Sequence, residues 1–328
     1  MKYSIMNIMI VVFTLVFFGC DVNDTSDPEK EPAKNIIGLV SEGADNIVAE
    51  VHNLTGADAD GWTDGYIVAR ISGTVDVTNP ITFSLVQDPA LLDAYNKTNY
   101  GTDTYRFAKL LSTDRYRIEN PFSFTNPEKN REMQVKVRIK AVGLSPDFSY
   151  FIPIRIGSSS AYEYDLKKNT LLYQLYFENR WASTKAIPKY RHNGKRLVMA
   201  EFVDIGNEVS SSLDKEVFPI SGNEVRILAG TKTISANDNR ESVYEKWAIL
   251  LSIAADGKVS ITPYGNSAEA MNLEQVDDDP LNPNLYKLVV YEESVITYKT
   301  FLLNYKYYDP DAKVWYWIKE QLQVEQVQ

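Results

Sequence analysis

The sequence predicts an all-β protein of two domains: an Ig-like antiparallel sandwich over residues 36–179, then a small antiparallel meander barrel over residues 180–328. Three observations predict it. Apolar residues recur at every second position in segments of strand length, such as ITFSLV and MQVKVRIK, which is the period of a half-buried strand. Gly, Pro, Asn and Asp separate these segments at short intervals, as turns require. Sustained helical periodicity is absent, which disfavours an α/β arrangement.

The chain opens with an export signal over residues 1–19. Lys2 supplies the charge, residues 8–18 form an 11-residue apolar run, and that run is too short to span a bilayer. Gly19-Cys20 then fits a lipobox, which makes Cys20, the only cysteine, the acylated N-terminus of the mature chain and its one attachment to the membrane. Residues 20–35 are polar, acidic and proline-containing, with almost nothing apolar to bury, and read as a tether. Asp21, Asp24 and Asp27 resemble the signals that carry Bacteroidota lipoproteins to the outer face of the outer membrane; a plain solvated linker would have the same composition.

In the first domain, Met133, Val135, Val137 and Ile139 share one strand face and Gln134, Lys136, Arg138 and Lys140 the other, so the first face is core and the second wet. One short helix interrupts the strands. Asp88 is placed to cap it, Pro89 suits its first turn, Leu91, Leu92 and Tyr95 fall at helical spacing, and Asn99-Tyr100-Gly101 ends it. The second domain begins near Trp181. Asn193-Gly194 and Asp256-Gly257 each lie between strand-like runs and predict hairpin turns. YKLVV, ITYKTFLLNYKYY and VWYWIKEQLQV follow, and successive hairpins of this kind make a meander that curls into a barrel.

Composition narrows the function. Acids outnumber bases 44 to 34, and removing Lys2 with the signal takes the formal charge from −10 to −11. Nucleic acid and anionic lipid surfaces are therefore poor partners, because both need clustered cations. No cysteine remains for disulfides, so stability rests on two apolar cores. The 21 tyrosines suit half-buried strands and also sugar-facing surfaces.

LVQDPALLDAYNKTNYGTDTYRFAKLLSTDRYRIENP and GLSPDFSYFIPIRIGSSS resemble the N-terminal domain of a family of Bacteroidota lipoproteins of unknown function, with Ser112 where the family usually has proline. ITPYGN, DDDPLNPNLYKLVV and TYKTFLLNYKYYDPDAKVWYWIKEQL resemble the family's companion domain, so the likeness covers most of residues 36–328. The resemblance implies an accessory surface lipoprotein encoded with glycan-import machinery and transfers no defined site.

The chemistry-bearing residues give little of their own. His52 follows an alternating strand and His192 falls in the predicted Asn193-Gly194 turn, about 140 residues away; with no G-x-S-x-G string, both read as structural or surface histidines. No cofactor and no zinc cluster is expected. Asp58, Asp60 and Asp64 stand in a glycine-flanked loop reminiscent of a calcium site, but Ala69 occupies the position of the bidentate acid, and a solvated strand-connecting turn explains the loop better. For sugar stacking, Trp62 in that loop and Tyr264 before Gly265-Asn266 are the candidates, set against loop and core packing. Trp315 and Trp317 alternate with Tyr316 and Ile318, and one of those two faces must be core. The expectation is a non-catalytic, lipid-anchored surface protein that holds polysaccharide or oligosaccharide for an outer-membrane importer. The alternatives are an envelope assembly protein that binds partners through strand edges, and a glycoside hydrolase with an unrecognised carboxylate pair.

Overall fold

In the computed structural model, which describes residues 34–41, 46–77, 79–200, 203–204, 209–235, 238–291 and 296–326, the alternating segments pair into four sheets. Two make the N-terminal sandwich. One sheet has five strands, with Thr63–Ser72 at its centre between Ile36–Val40 and Glu132–Ile139; the other has six, centred on Tyr150–Ser159 and Thr170–Glu178. Val135, Val137 and Ile139 are fully buried between them, on the face that their period of two predicts. Opposite faces of the same strand carry Lys136 and Arg138, which pair with Asp64 in the wet layer.

The protein is all-β with curled, mostly antiparallel sheets. Pairing along the sandwich edges departs from a purely antiparallel pattern: Ile47–Asn53 runs parallel to Thr170–Glu178, and Ile36–Val40 parallel to Glu163–Tyr164. Side-chain alternation carries no information on strand direction, and these partners come from opposite ends of the domain. The predicted helix is present at Pro89–Tyr100 and ends at Gly101 with a positive φ of 59°. Its cap differs from expectation. The Asp88 side chain makes no capping bond and instead faces Arg155, 3.4 Å away.

The C-terminal domain packs a seven-stranded and a four-stranded sheet over one core. Phe218–Ser221, Glu224–Leu228, Ala248–Ile253 and Val259–Pro263 are neighbours in chain order, a true meander, and Gly257 turns the last hairpin at φ +86°. The larger sheet is ordered differently, because the domain's first strand, Lys189–Ala200, pairs with the closing strand Val314–Glu325.

Here the structure corrects the sequence at Asn193-Gly194. No turn forms there; both residues lie within Lys189–Ala200. Glycine is needed for close approach, since a Cβ at position 194 would sit 2.9 Å from the Lys319 carbonyl oxygen and 3.0 Å from the Glu320 Cβ. His192 accordingly lies in a strand, 1% exposed, and not in a turn.

The two domains meet through a buried arginine. The Arg226 guanidinium donates to both Asp147 carboxylate oxygens at 2.7 and 2.6 Å and lies 3.7 Å from the ring centre of Tyr244. Beside it, the Asn179 amide donates across the junction to the carbonyls of Ser221 and Glu224.

Candidate functional site

Neither predicted stacking residue presents an open ring. Trp62 is not an open loop aromatic: it is 7% exposed, and the Arg117 guanidinium covers its ring at 4.2 Å. Its backbone N–H donates to Asp58 Oδ1, so the acidic loop folds inward onto the tryptophan. The loop carboxylates are spent within the protein. Asp58 accepts first from the Trp62 N–H and also pairs with Arg138, while Asp64 pairs with Lys136 and Arg138; these bonds hold both acids below the usual carboxylate range. Among the described residues no group of three His, Cys, Asp or Glu side chains could hold a metal. Tyr264 likewise does not project from a rim. Half-buried, it packs on the C-terminal core with the Arg226 guanidinium 5.3 Å from its ring centre. Cys20 lies outside the described residues.

Both histidines are buried and bonded. His52 Nδ1 meets Thr63 Oγ1 at 2.8 Å and Nε2 meets the Tyr173 hydroxyl at 3.0 Å; burial lowers its pKa to about 4, with Asp64 opposing. Gly65 makes room for the pair, since a Cβ there would overlap the Tyr173 hydroxyl. His192 occupies a charged cluster inside the C-terminal domain. Its Nε2 lies 2.7 Å from Ser211 Oγ, and its Nδ1 lies 2.6 Å from Glu320 Oε2.

These spacings match those of a serine, a histidine and an acid acting as a relay. The surroundings work against that role. Lys215 Nζ approaches the same Glu320 oxygen at 2.5 Å, while the Tyr305 hydroxyl donates to Oε1 at 2.8 Å. Were His192 to take the serine proton, two buried cations would face one carboxylate. Its Nδ1, moreover, finds no well-aligned hydrogen-bond acceptor. Burial raises the Glu320 carboxyl, but Lys215 and His192 outweigh it and hold the group below the usual value. The cluster ties the strands together from the core side.

The opposite face of the same strands is open. On the closing strand, Tyr316, Ile318, Glu320 and Leu322 turn inward because their partners Phe301, Leu303, Tyr305 and Tyr307 are 0–2% exposed. Trp315, Trp317, Lys319 and Gln321 therefore share the outer face. Register sets their neighbours. Trp315 lies opposite Tyr308, their ring centres 6.0 Å apart, and Trp317 lies opposite Lys306. The Trp317 ring also has cations beside it, Lys319 Nζ at 4.4 Å and Lys306 Nζ at 5.2 Å from its centre, and its Nε1–H donates to Asn304 Oδ1 at 2.7 Å; unlike Trp62 it is only half-buried.

Gln321 lies opposite Asn193, which in turn lies opposite Ser212, so three neutral polar side chains form a row across three strands. None of the three side chains has a hydrogen-bond partner among the described residues. This row floors an open groove of about 620 Å³, walled on one side by Leu281, Asn282 and Pro283. Lys319, in the same groove, is held by Asp279 at 2.9 Å. The arrangement offers aromatic faces at one end and paired donor and acceptor groups at the other. It can stack apolar ring faces and bond hydroxyls.

Sequence reasoning left the Trp315/Trp317 face undecided and missed the polar row. The signal for the tryptophans lay in the partner strand, where Asn304 and Lys306 alternate with apolar residues and mark one face as polar. The row had no signal, because Ser212, Asn193 and Gln321 come together only through register.

Residues 35–163 match the model of a family's N-terminal domain and residues 169–323 the model of its C-terminal domain; the chain belongs to this two-domain Bacteroidota family, whose function is unknown. Among solved structures, a Bacteroides ovatus protein of unknown function aligns with a TM-score of 0.63 at 12% identity, over 88% of this chain and 94% of that one. A Bacteroides ovatus multidomain protein including DUF1735 aligns at 0.61 and 11% identity, over 88% and 94% of the two chains. An auxiliary nutrient binding protein from Bacteroides thetaiotaomicron aligns at 0.55 and 12% identity, over 87% and 93%. At such identities the likeness is one of fold. No curated protein matches the chain.

Proposed function

We propose that this chain is a non-catalytic surface lipoprotein, acylated at Cys20 and anchored in the outer membrane, that holds glycan on the outer face of its seven-stranded sheet for a neighbouring importer. The observation that carries this reading is the outer face itself: Trp315 and Trp317 at alternate positions of one strand, leading into a groove floored by Ser212, Asn193 and Gln321. A pyranose ring presents C–H groups to an aromatic face and hydroxyls, each donor and acceptor, to amides. The fold shared with a protein described as an auxiliary nutrient binding protein accords with it. Stacking and a few hydrogen bonds support affinities of about micromolar to millimolar.

Calorimetry and affinity gels against a polysaccharide panel test the reading. Wild-type protein should bind at least one polysaccharide, and Trp317→Ala should lose that binding while keeping its circular dichroism spectrum. Equal binding by the variant would remove the site from this face. Membrane fractionation of Cys20→Ala checks the anchor, and unchanged membrane association would refute it.

A second reading, envelope assembly through a strand edge, draws on Leu285–Val290, which exposes Leu288 at 54% and Val290 at 60%. Co-purification of an envelope protein that ignores sugars and is lost in Leu288→Lys would favour it.

A further inference from the structure

If the outer face binds glycan, its dimensions and charges also say what kind. We infer that it takes the interior of a long, uncharged polysaccharide chain laid along the closing strand, several sugar rings at once, and not a chain end or a free sugar. The inference rests on the proposed function above and deepens it.

Length is the first argument. Gln321, Lys319, Trp317 and Trp315 follow one another at every second position on one face, and six residue steps of strand extend about 20 Å. A single ring would use only one end of that path. Contacts to stack on and contacts to bond are instead distributed along it: Trp315 and Trp317 at one end, the amide and hydroxyl row at the other.

Shape is the second. The groove is an open depression with its wall on one side, formed by Leu281, Asn282 and Pro283, and Leu281 is 89% exposed at the rim. Recognition of a terminus needs an enclosure that closes over the last ring, whereas an open strip admits a chain that continues past both ends.

Charge is the third. The lysines that line the groove or stand beside the tryptophans are already engaged. Lys319 is held by Asp279 at 2.9 Å, Lys306 lies 4.0 Å from Glu274, and Lys195 also has an interaction partner. A uronate would bring a carboxylate, which only accepts hydrogen bonds and seeks a cation. The groove groups without a hydrogen-bond partner among the described residues are Ser212, Asn193 and Gln321, neutral and able both to donate and to accept, as a sugar hydroxyl is.

The test is a length series on the full mature chain. Neutral glucan, mannan, galactan and xylan oligosaccharides, from monosaccharide to octasaccharide, are titrated by calorimetry beside oligogalacturonates of the same lengths. For whichever neutral series binds, affinity should rise about tenfold or more from disaccharide to tetrasaccharide and then level off. Oligomers blocked at either end should bind as well as free ones, and the oligogalacturonates should not bind. Trp315→Ala should abolish the advantage of the longer oligomers while leaving disaccharide affinity within about twofold. A disaccharide as tight as the octasaccharide, loss of binding on blocking one end, or preference for oligogalacturonate would each overturn the inference while leaving glycan binding in place. If the wild type binds none of these probes nor any polysaccharide, the proposed function fails and the inference with it.

Discussion

Replacing His52 with glutamine should flatten the acid sensitivity of the N-terminal sandwich. The imidazole is fully buried between Thr63 and Tyr173, and its pKa lies near 4 because burial penalises the charged form, against about 6.5 in an unfolded chain. Between those values the unfolded state binds a proton that the folded state does not. The histidine's contribution to stability is thus complete above pH ~6.5 and is lost as pH falls through about 4. Two and a half pH units correspond to about 3 kcal/mol, of which about 2 kcal/mol disappears between pH ~7 and ~4.5. Glutamine can meet the same two hydroxyls and does not titrate. Urea unfolding of both proteins at the two pH values is the assay. His52→Gln should lose about 2 kcal/mol less than wild type over that interval. Equal losses would show that folding does not exclude the proton from His52, and the reasoning would fall.

Asp147→Ala strips the counter-ion from Arg226, which is 1% exposed. It should cost about 3–5 kcal/mol; wild type should melt in one calorimetric transition and the variant in two, whereas one unshifted transition in the variant would show that the arginine does not couple the domains. Glu320→Gln leaves the Lys215 ammonium buried without its carboxylate and should cost a similar ~3–5 kcal/mol. Removing both charges, as Lys215→Met with Glu320→Leu, should recover most of that loss in thermal melts; a double variant as unstable as the single one would contradict the ion-pair account.

Fold and site were legible to different degrees, and the difference has a physical cause. Strand faces are written in period two, so the buried stripe from Met133 to Ile139 and the wet one beside it could be read directly. A positive φ favours glycine, so Gly257 announced its turn. Gly194 carries the same dipeptide signature for another reason. It leaves space for the Lys319 carbonyl and Glu320 on the adjacent strand and for the His192 ring on its own, and nothing local distinguishes a glycine kept for a turn from one kept for a neighbour. The site was less legible still. Trp62 sits in a loop of turn residues, as an exposed aromatic would, yet the Asp58 bonds fold that loop inward and Arg117 covers the ring. The polar row lies on three strands whose register only the folded sheet defines.

The central claim is that Trp315 and Trp317 form one binding surface with the groove beside them. Its most direct measurement is calorimetric titration of the double variant Trp315→Ala/Trp317→Ala with the polysaccharide that wild type binds, at matched circular dichroism and thermal stability. The account predicts loss of all measurable heat, with binding retained by Trp62→Phe and Tyr264→Phe, whose rings pack inside the protein. A double variant that binds like wild type would contradict it.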